Sequence, residues 1–213
     1  MKNCVHRALL LVALFTGTVA NRSKAHAELL IRYSVDDGIS FINELTLNVG
    51  QSADVDIYVD DTDPFSVLEE GLQSMGLRGT FNTGFGQITS VDWDDNFSSF
   101  PKGEFDNATG TLELEGFNFG GGVSDSTIRL GSFTFKTTTA GTTTFELGDL
   151  TVDETNFLTS ENTELDLFLF GADRSETYGL TISAVPEPSM FAGLAITSGG
   201  ILLRRRRRGR SGS

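Results

Sequence analysis

Six residues, Asp92-Trp93-Asp94-Asp95-Asn96-Phe97, gather the chain's only tryptophan, three carboxylates and an amide. Such a cluster has the chemistry of a sugar platform: the indole covers the apolar face of a pyranose while carboxylate and amide hold its hydroxyls. Asp92, Trp93, Asp94 and Asn96 would carry that role. The same residues also fit a second arrangement, with Trp93 turned into the core and the acids left on a solvated loop. The cluster, or Asp60-Asp61-Thr62-Asp63, offers oxygen ligands of the kind calcium takes. Neither has the glycine that an EF-hand loop requires, so calcium stays an option without an assigned ligand set, and no other cofactor is expected. Glu113 and Glu115 have the residue types of a glycosidase acid pair. Their spacing has a simpler source, because residues two apart on a strand share a face, here the solvent side of Thr111-Leu112-Glu113-Leu114-Glu115.

Other chemistries are excluded by what the chain lacks. Cys4, His6 and His26 are its only cysteine and histidines, and all precede residue 28. Beyond that point there is no thiol nucleophile, no Ser-His-Asp triad, no His/Cys zinc site and no disulfide. A non-catalytic role is expected. Residues 28–185 carry 28 acidic against 6 basic residues, a net charge of −22. Such a surface disfavours nucleic acid and anionic membranes.

The elements that must position these residues read as strands. Asp54-Val55-Asp56-Ile57-Tyr58-Val59-Asp60 alternates strictly, as does Glu164-Leu165-Asp166-Leu167-Phe168-Leu169-Phe170, and period-two patterning signals a sheet with one buried face. Between Ile128 and Lys136 the apolar set changes face around Gly131-Ser132, which predicts a β-bulge. The threonine-rich run Lys136–Phe145 reads as a hairpin turning at Gly141. Asp63-Pro64-Phe65 opens a short predicted helix with Leu68, Leu72 and Met75 at helical spacing. The expected fold is all-β: a single antiparallel β-sandwich over residues 28–184, flanked by an N-terminal signal peptide and a C-terminal hydrophobic helix.

Both ends have the layout of sorting segments. Lys2 and Arg7 precede the apolar stretch Ala8–Ala20, and Ala25-His26-Ala27 supplies a small-x-small cleavage site. Residues 1–27 therefore read as a signal peptide, cut by signal peptidase between Ala27 and Glu28. At the other end, residues 185–213 begin with Val185-Pro186-Glu187-Pro188. Then come fifteen uncharged residues, Ser189–Leu203, and the block Arg204, Arg205, Arg206, Arg207, Arg208 and Arg210. As a helix the apolar run would extend about 22 Å, a marginal span of a hydrocarbon core roughly 30 Å thick. The arginines act as a stop-transfer block and stay cytoplasmic, which leaves the acidic domain outside. Insertion is expected to be transient, with the cell envelope or the extracellular space as the destination.

The order of motif, apolar run and arginine cluster resembles a PEP-CTERM sorting tail. That resemblance implies handling by exosortase, a membrane cysteine protease of exported bacterial proteins, with processing near Pro186-Glu187-Pro188. In the central part, Val49-Gly50-Gln51-Ser52-Ala53-Asp54-Val55-Asp56-Ile57 resembles the opening strand of cohesin-like domains. Gly71–Phe97 resembles their following strands, and Leu130–Phe135 with Ala140-Gly141-Thr142 a later hairpin. Cohesin-like domains are nine-stranded sandwiches related in shape to some carbohydrate-binding modules and their jelly rolls. The resemblance implies a binding or structural module whose partner is extracellular polysaccharide or another envelope protein.

Mass analysis of the exported protein is expected to find Glu28 at its N-terminus and a C-terminus near the Pro-Glu-Pro motif. Protein held in the membrane with Ser213 intact would make the tail an ordinary anchor.

Overall fold

The computed structural model describes residues 29–62 and 67–187. The signal segment, Asp63-Pro64-Phe65, Pro188, the apolar run and the arginine block lie outside the described residues. Among the described residues, eleven strands form two layers. One sheet has the spatial order β1 (Leu29–Ser34), β3 (Ser52–Asp61), β8 (Thr127–Thr137), β5 (Gly86–Trp93), all antiparallel. The other runs β2 (Glu44–Asn48), β11 (Tyr178–Val185), β9 (Gly141–Asp149), β4 (Leu72–Thr80), β7 (Thr111–Phe117), β6 (Ser99–Asp106), with the short β10 (Leu158–Thr159) beside β4. The β-sandwich is as expected, with one departure: β2 and β11 pair in parallel.

Alternation builds both layers. Val55, Ile57 and Val59 of β3 are fully buried, and Leu112 and Leu114 of β7, in the other sheet, are buried in the same core as the expected inward face. The bulge in β8 is present. Ile57 pairs with Gly131 and Tyr58 with Arg129, so Leu130 is the extra residue. The shift lets Ile128 and Leu130 bury on one side of it and Phe133 and Phe135 on the other. Only glycine fits at its centre, since a Cβ on Gly131 would lie 2.5 Å from the Asp92 carbonyl oxygen.

Three local expectations are corrected. The run Lys136–Phe145 is no hairpin: β8 and β9 belong to different sheets, and the segment between them crosses the core as an arch. Phe133 and Phe145 both point inward and stack at 4.4 Å across the layers, which pairing side by side would forbid. The threonines between them bond to neighbouring loops instead. Thr137 Oγ1 donates to the Asn48 carbonyl at 2.8 Å, and Thr139 Oγ1 to that of Gly84 at 2.9 Å.

The predicted helix around Leu68–Met75 is only a 3-10 turn, Val67–Glu70. Gly71, at φ +85°, ends it, and Leu72 and Met75 bury their side chains from β4. Lastly, Asp166–Phe170 is a short helix, α1, and not a strand. Leu165 with Leu169, and Asp166 with Phe170, bury at a spacing of four, while Leu167 and Phe168 face solvent.

The decisive residue in α1 is Asp166, which has no exposed surface. Its carboxylate accepts the backbone N–H groups of Asn156 and Phe157 at 3.1–3.3 Å, tying the helix to the segment before β10. Burial pushes its pKa up to about 6, against the two N–H donors, with nearby Asp149 pushing the same way.

Strand directions give the sandwich two unlike ends. The chain leaves from the end where β11 finishes, which otherwise carries the short connections 48–52, 80–86, 106–111 and 137–141. The opposite end carries both 3-10 turns, the loop 118–126, β10 and α1. The ten-residue β3 separates the two ends by roughly 33 Å.

Because Asp166 binds its proton more tightly in the folded chain, its contribution to stability is complete below its ordinary value and lost as pH rises through about 6. Denaturant midpoints are expected to show a loss of up to about 3 kcal/mol between pH 4 and pH 7 from this residue. Asp166→Asn should flatten that slope; an unchanged slope would place the titration elsewhere.

Candidate functional site

The outer face of the four-stranded sheet is where the register brings the acidic residues of β3 together with partners from its neighbours. Asp60 stands opposite Thr127, Tyr58 opposite Arg129 and Asp54 opposite Thr134. Arg32 of β1 reaches Asp60 at 2.7 Å, and Thr127 Oγ1 donates to the same carboxylate at 2.7 Å. Nε and Nη2 of Arg129 both lie 2.8 Å from Asp56 Oδ1, and its Nη1 reaches Asp94 Oδ2 at 3.4 Å. Thr134 Oγ1 bonds Asp54 and Ser90 in turn, a separate group that links β3, β8 and β5. Phe41 rests on this face, edge-on to Tyr58 at 5.6 Å, with the Arg32 guanidinium 5.2 Å from its ring. Single exposed ion pairs contribute little to stability. Here two sets of ion pairs and the hydroxyls of Thr127, Thr134 and Ser90 tie side chains of neighbouring strands together and restrict their rotamers on a polar surface.

The Asp92–Asn96 cluster sits at one edge of this face, but its members point different ways. Asp92 and Asn96 are exposed. Asp94 caps the 3-10 turn Asp95–Phe97, accepting the Asn96 N–H at 3.0 Å, its amide at 2.8 Å and the Arg129 guanidinium. Trp93 points inward with Val91, is half-buried and packs on the core. Its ring lies over β6, 3.4 Å from where a Cβ on Gly103 would stand. Asp60 of the second acidic run is paired with Arg32. Among the described residues no three acidic side chains converge as a metal-holding group. Glu113, held low by the hydrogen bond from Lys102 at 2.8 Å, and Glu115 both lie on the outer side of β7.

A groove that the sequence does not reveal lies on the other sheet, at the end away from the chain's exit. It encloses about 450 Å³ between the ends of β4 and β7 and the segment before β10. Glu115, Phe117 and Phe119 form one wall and Glu154, Thr155 and Leu158 the other. Phe119 is 68% exposed, its ring 4.8 Å from that of Phe117 and tilted by 58°. The walls come from stretches about forty residues apart in sequence, and only the exposed Phe119 beside Gly120-Gly121-Gly122 marks the place.

No family model matches the chain, and no curated protein matches it. Solved structures do. A cohesin–dockerin complex of OlpA from Clostridium thermocellum is similar at 7% identity over 73% of this chain and 99% of that one, TM-score 0.52. A complex of OlpC from the same organism is similar at 10% identity over 75% and 96%, TM-score 0.52. The sixth cohesin of scaffoldin B from Acetivibrio cellulolyticus is similar at 11% identity over 75% and 99%, TM-score 0.50. The fold is that of the cohesin modules. The likeness spans nearly the whole of each matched module, at 7–11% identity, so it shows the fold and not the side chains. The residues on the four-stranded face must accordingly be read from this chain alone.

Trp93→Ala is expected to cost roughly 2–4 kcal/mol, because the half-buried ring fills the space between Val91 and Gly103. Chemical denaturation of the variant checks this; unchanged stability would return the indole to the role of a surface platform.

Proposed function

We propose that this chain is an exported, non-catalytic adhesion module that binds another envelope or matrix protein through the outer face of its four-stranded sheet. The observation that carries the reading is three side-chain groups held on that face, Arg32–Asp60–Thr127, Asp56–Arg129–Asp94 and Asp54–Thr134–Ser90. Side chains already held in place lose little entropy on binding, so the face is pre-organised for a partner. Its excess of carboxylates favours a basic partner surface and steers the encounter. Structures of the same fold that are similar to this chain were solved with a dockerin bound, which supports protein recognition for this one.

Delivery follows from the ends of the sequence. Signal peptidase releases the chain at Glu28, and the tail from Val185 to Arg210 engages an exosortase-type protease after transient membrane insertion. Pro186 and Glu187 follow β11 directly, so a tail held at the membrane presents the far end of the sandwich outward. The destination is the envelope or the extracellular matrix.

The test is photo-crosslinking in the producing cell from Ser90 on the face, with Thr46 of the edge strand β2 as the control; both positions are exposed. A discrete protein adduct is expected from Ser90 alone, lost when exposed Asp54 and Asp92 are both replaced by lysine. Adducts from Thr46 only, or capture of polysaccharide in place of protein, would overturn the reading.

A further inference from the structure

The groove beside Phe119 is distinct from the four-stranded face and its chemistry is different. Its walls are built rather than incidental. Asn156, buried against β4, donates through Nδ2 to the carbonyls of Thr151 and Glu154 at 3.0 and 3.1 Å. Arg174 donates to the Val152 carbonyl at 3.0 Å, and the Asp166 carboxylate holds the backbone of Asn156 and Phe157 from behind. Gly76 lets the segment lie flat on the sheet, since a Cβ there would stand 3.1 Å from Asn156. A fixed cleft of about 450 Å³ falls within the size range of small-group binding sites.

What the walls present selects the occupant. Two phenyl rings and two exposed carboxylates, Glu115 on β7 and Glu154 across from it, line the groove, and no lysine or arginine does. An aromatic ring attracts a cation to its face, and carboxylates pair with the same charge. The stem of a long basic side chain is apolar and suits the surface offered by Phe117 and Leu158. A carboxylate or phosphate ligand would face the two carboxylates of the lining with no lysine or arginine lining the groove to balance them.

We propose that this groove receives an arginine or lysine side chain of the protein partner, as an anchor separate from the four-stranded face. The proposal rests on the domain being a protein-binding module, and it names the chemistry of one contact. The groove and the Asp92–Asn96 edge both lie at the end opposite the chain's exit, so one partner approaching from that end reaches both.

The experiment titrates the purified protein with acetyl-Gly-Arg-Gly-amide and follows backbone amide shifts. Acetyl-Gly-citrulline-Gly-amide, of equal shape and no charge, is the control. Saturable shifts at Gly116, Phe119 and Thr155 are expected with the arginine peptide and not with citrulline. Phe119→Ala, and separately Glu115→Gln with Glu154→Gln, should each weaken binding about 3- to 10-fold. These side chains are exposed, and an unchanged melting temperature confirms that the fold is kept. Equal binding of citrulline, shifts confined to the Asp54–Asp92 face, or tighter binding of a glucosamine oligomer would each overturn the proposal. A protein crosslinked from Ser90 with no arginine response sinks the groove alone; loss of the Ser90 adduct with the arginine response intact sinks the face alone.

Discussion

Phe133 stacked on Phe145 is the contact on which the rest of the structure depends. It joins a strand of one sheet to a strand of the other, and the chain between them has no choice but to cross. Phe81 and Phe135 extend the seam, edge to face at 5.9 Å, and Tyr33 meets Phe145 at 6.3 Å. With no cysteine or histidine after residue 28, neither disulfide nor zinc supplements this packing. Every other feature, from the polar face to the groove, hangs on two layers held together by apolar side chains.

How much of this was legible in the sequence depends on the range over which the information acts. The strands β3 and β7 and the bulge of β8 are local facts, written in the alternation of Val55, Ile57 and Val59 and in its phase change at Gly131. The fate of Lys136–Phe145 is not local. Threonine and glycine suit a hairpin and an arch equally, and only the demand that Phe133 and Phe145 both face inward decides between them. Glu164–Phe170 satisfies period two and a spacing of four at once. The buried Asp166, which needs the backbone donors of Asn156 and Phe157, resolves it in favour of a helix. Trp93 shows the same limit: the residues around it carry binding chemistry, but the bulge in β5 near Ser90 sets which way the ring turns. The groove was invisible because its walls meet only after β4 has brought β7 and the segment before β10 together.

The sandwich divides its labour by end. The exit end carries only short connections, whereas the opposite end collects the 3-10 turns, α1, the groove and the Asp92–Asn96 edge. Buried acids support that elaborated end: Asp149 and Asp166 are both pushed above their ordinary range by burial, and both hold the segment that forms the groove's wall. Fold stability and the shape of the groove are thereby linked through the same carboxylates.

The parallel pairing of β2 with β11 has a mechanical consequence. β11 is the last strand before the tail, and it lies between β9 and β2 with ladders on both sides. A pull along the tail, resisted by a partner held at the far end, runs parallel to the strand and across its hydrogen bonds. Both ladders are then loaded in shear and must give way together, whereas a strand at the sheet's margin has only one ladder to resist the same pull. The fold thus sets a strand flanked on both sides where a tether would exert its force.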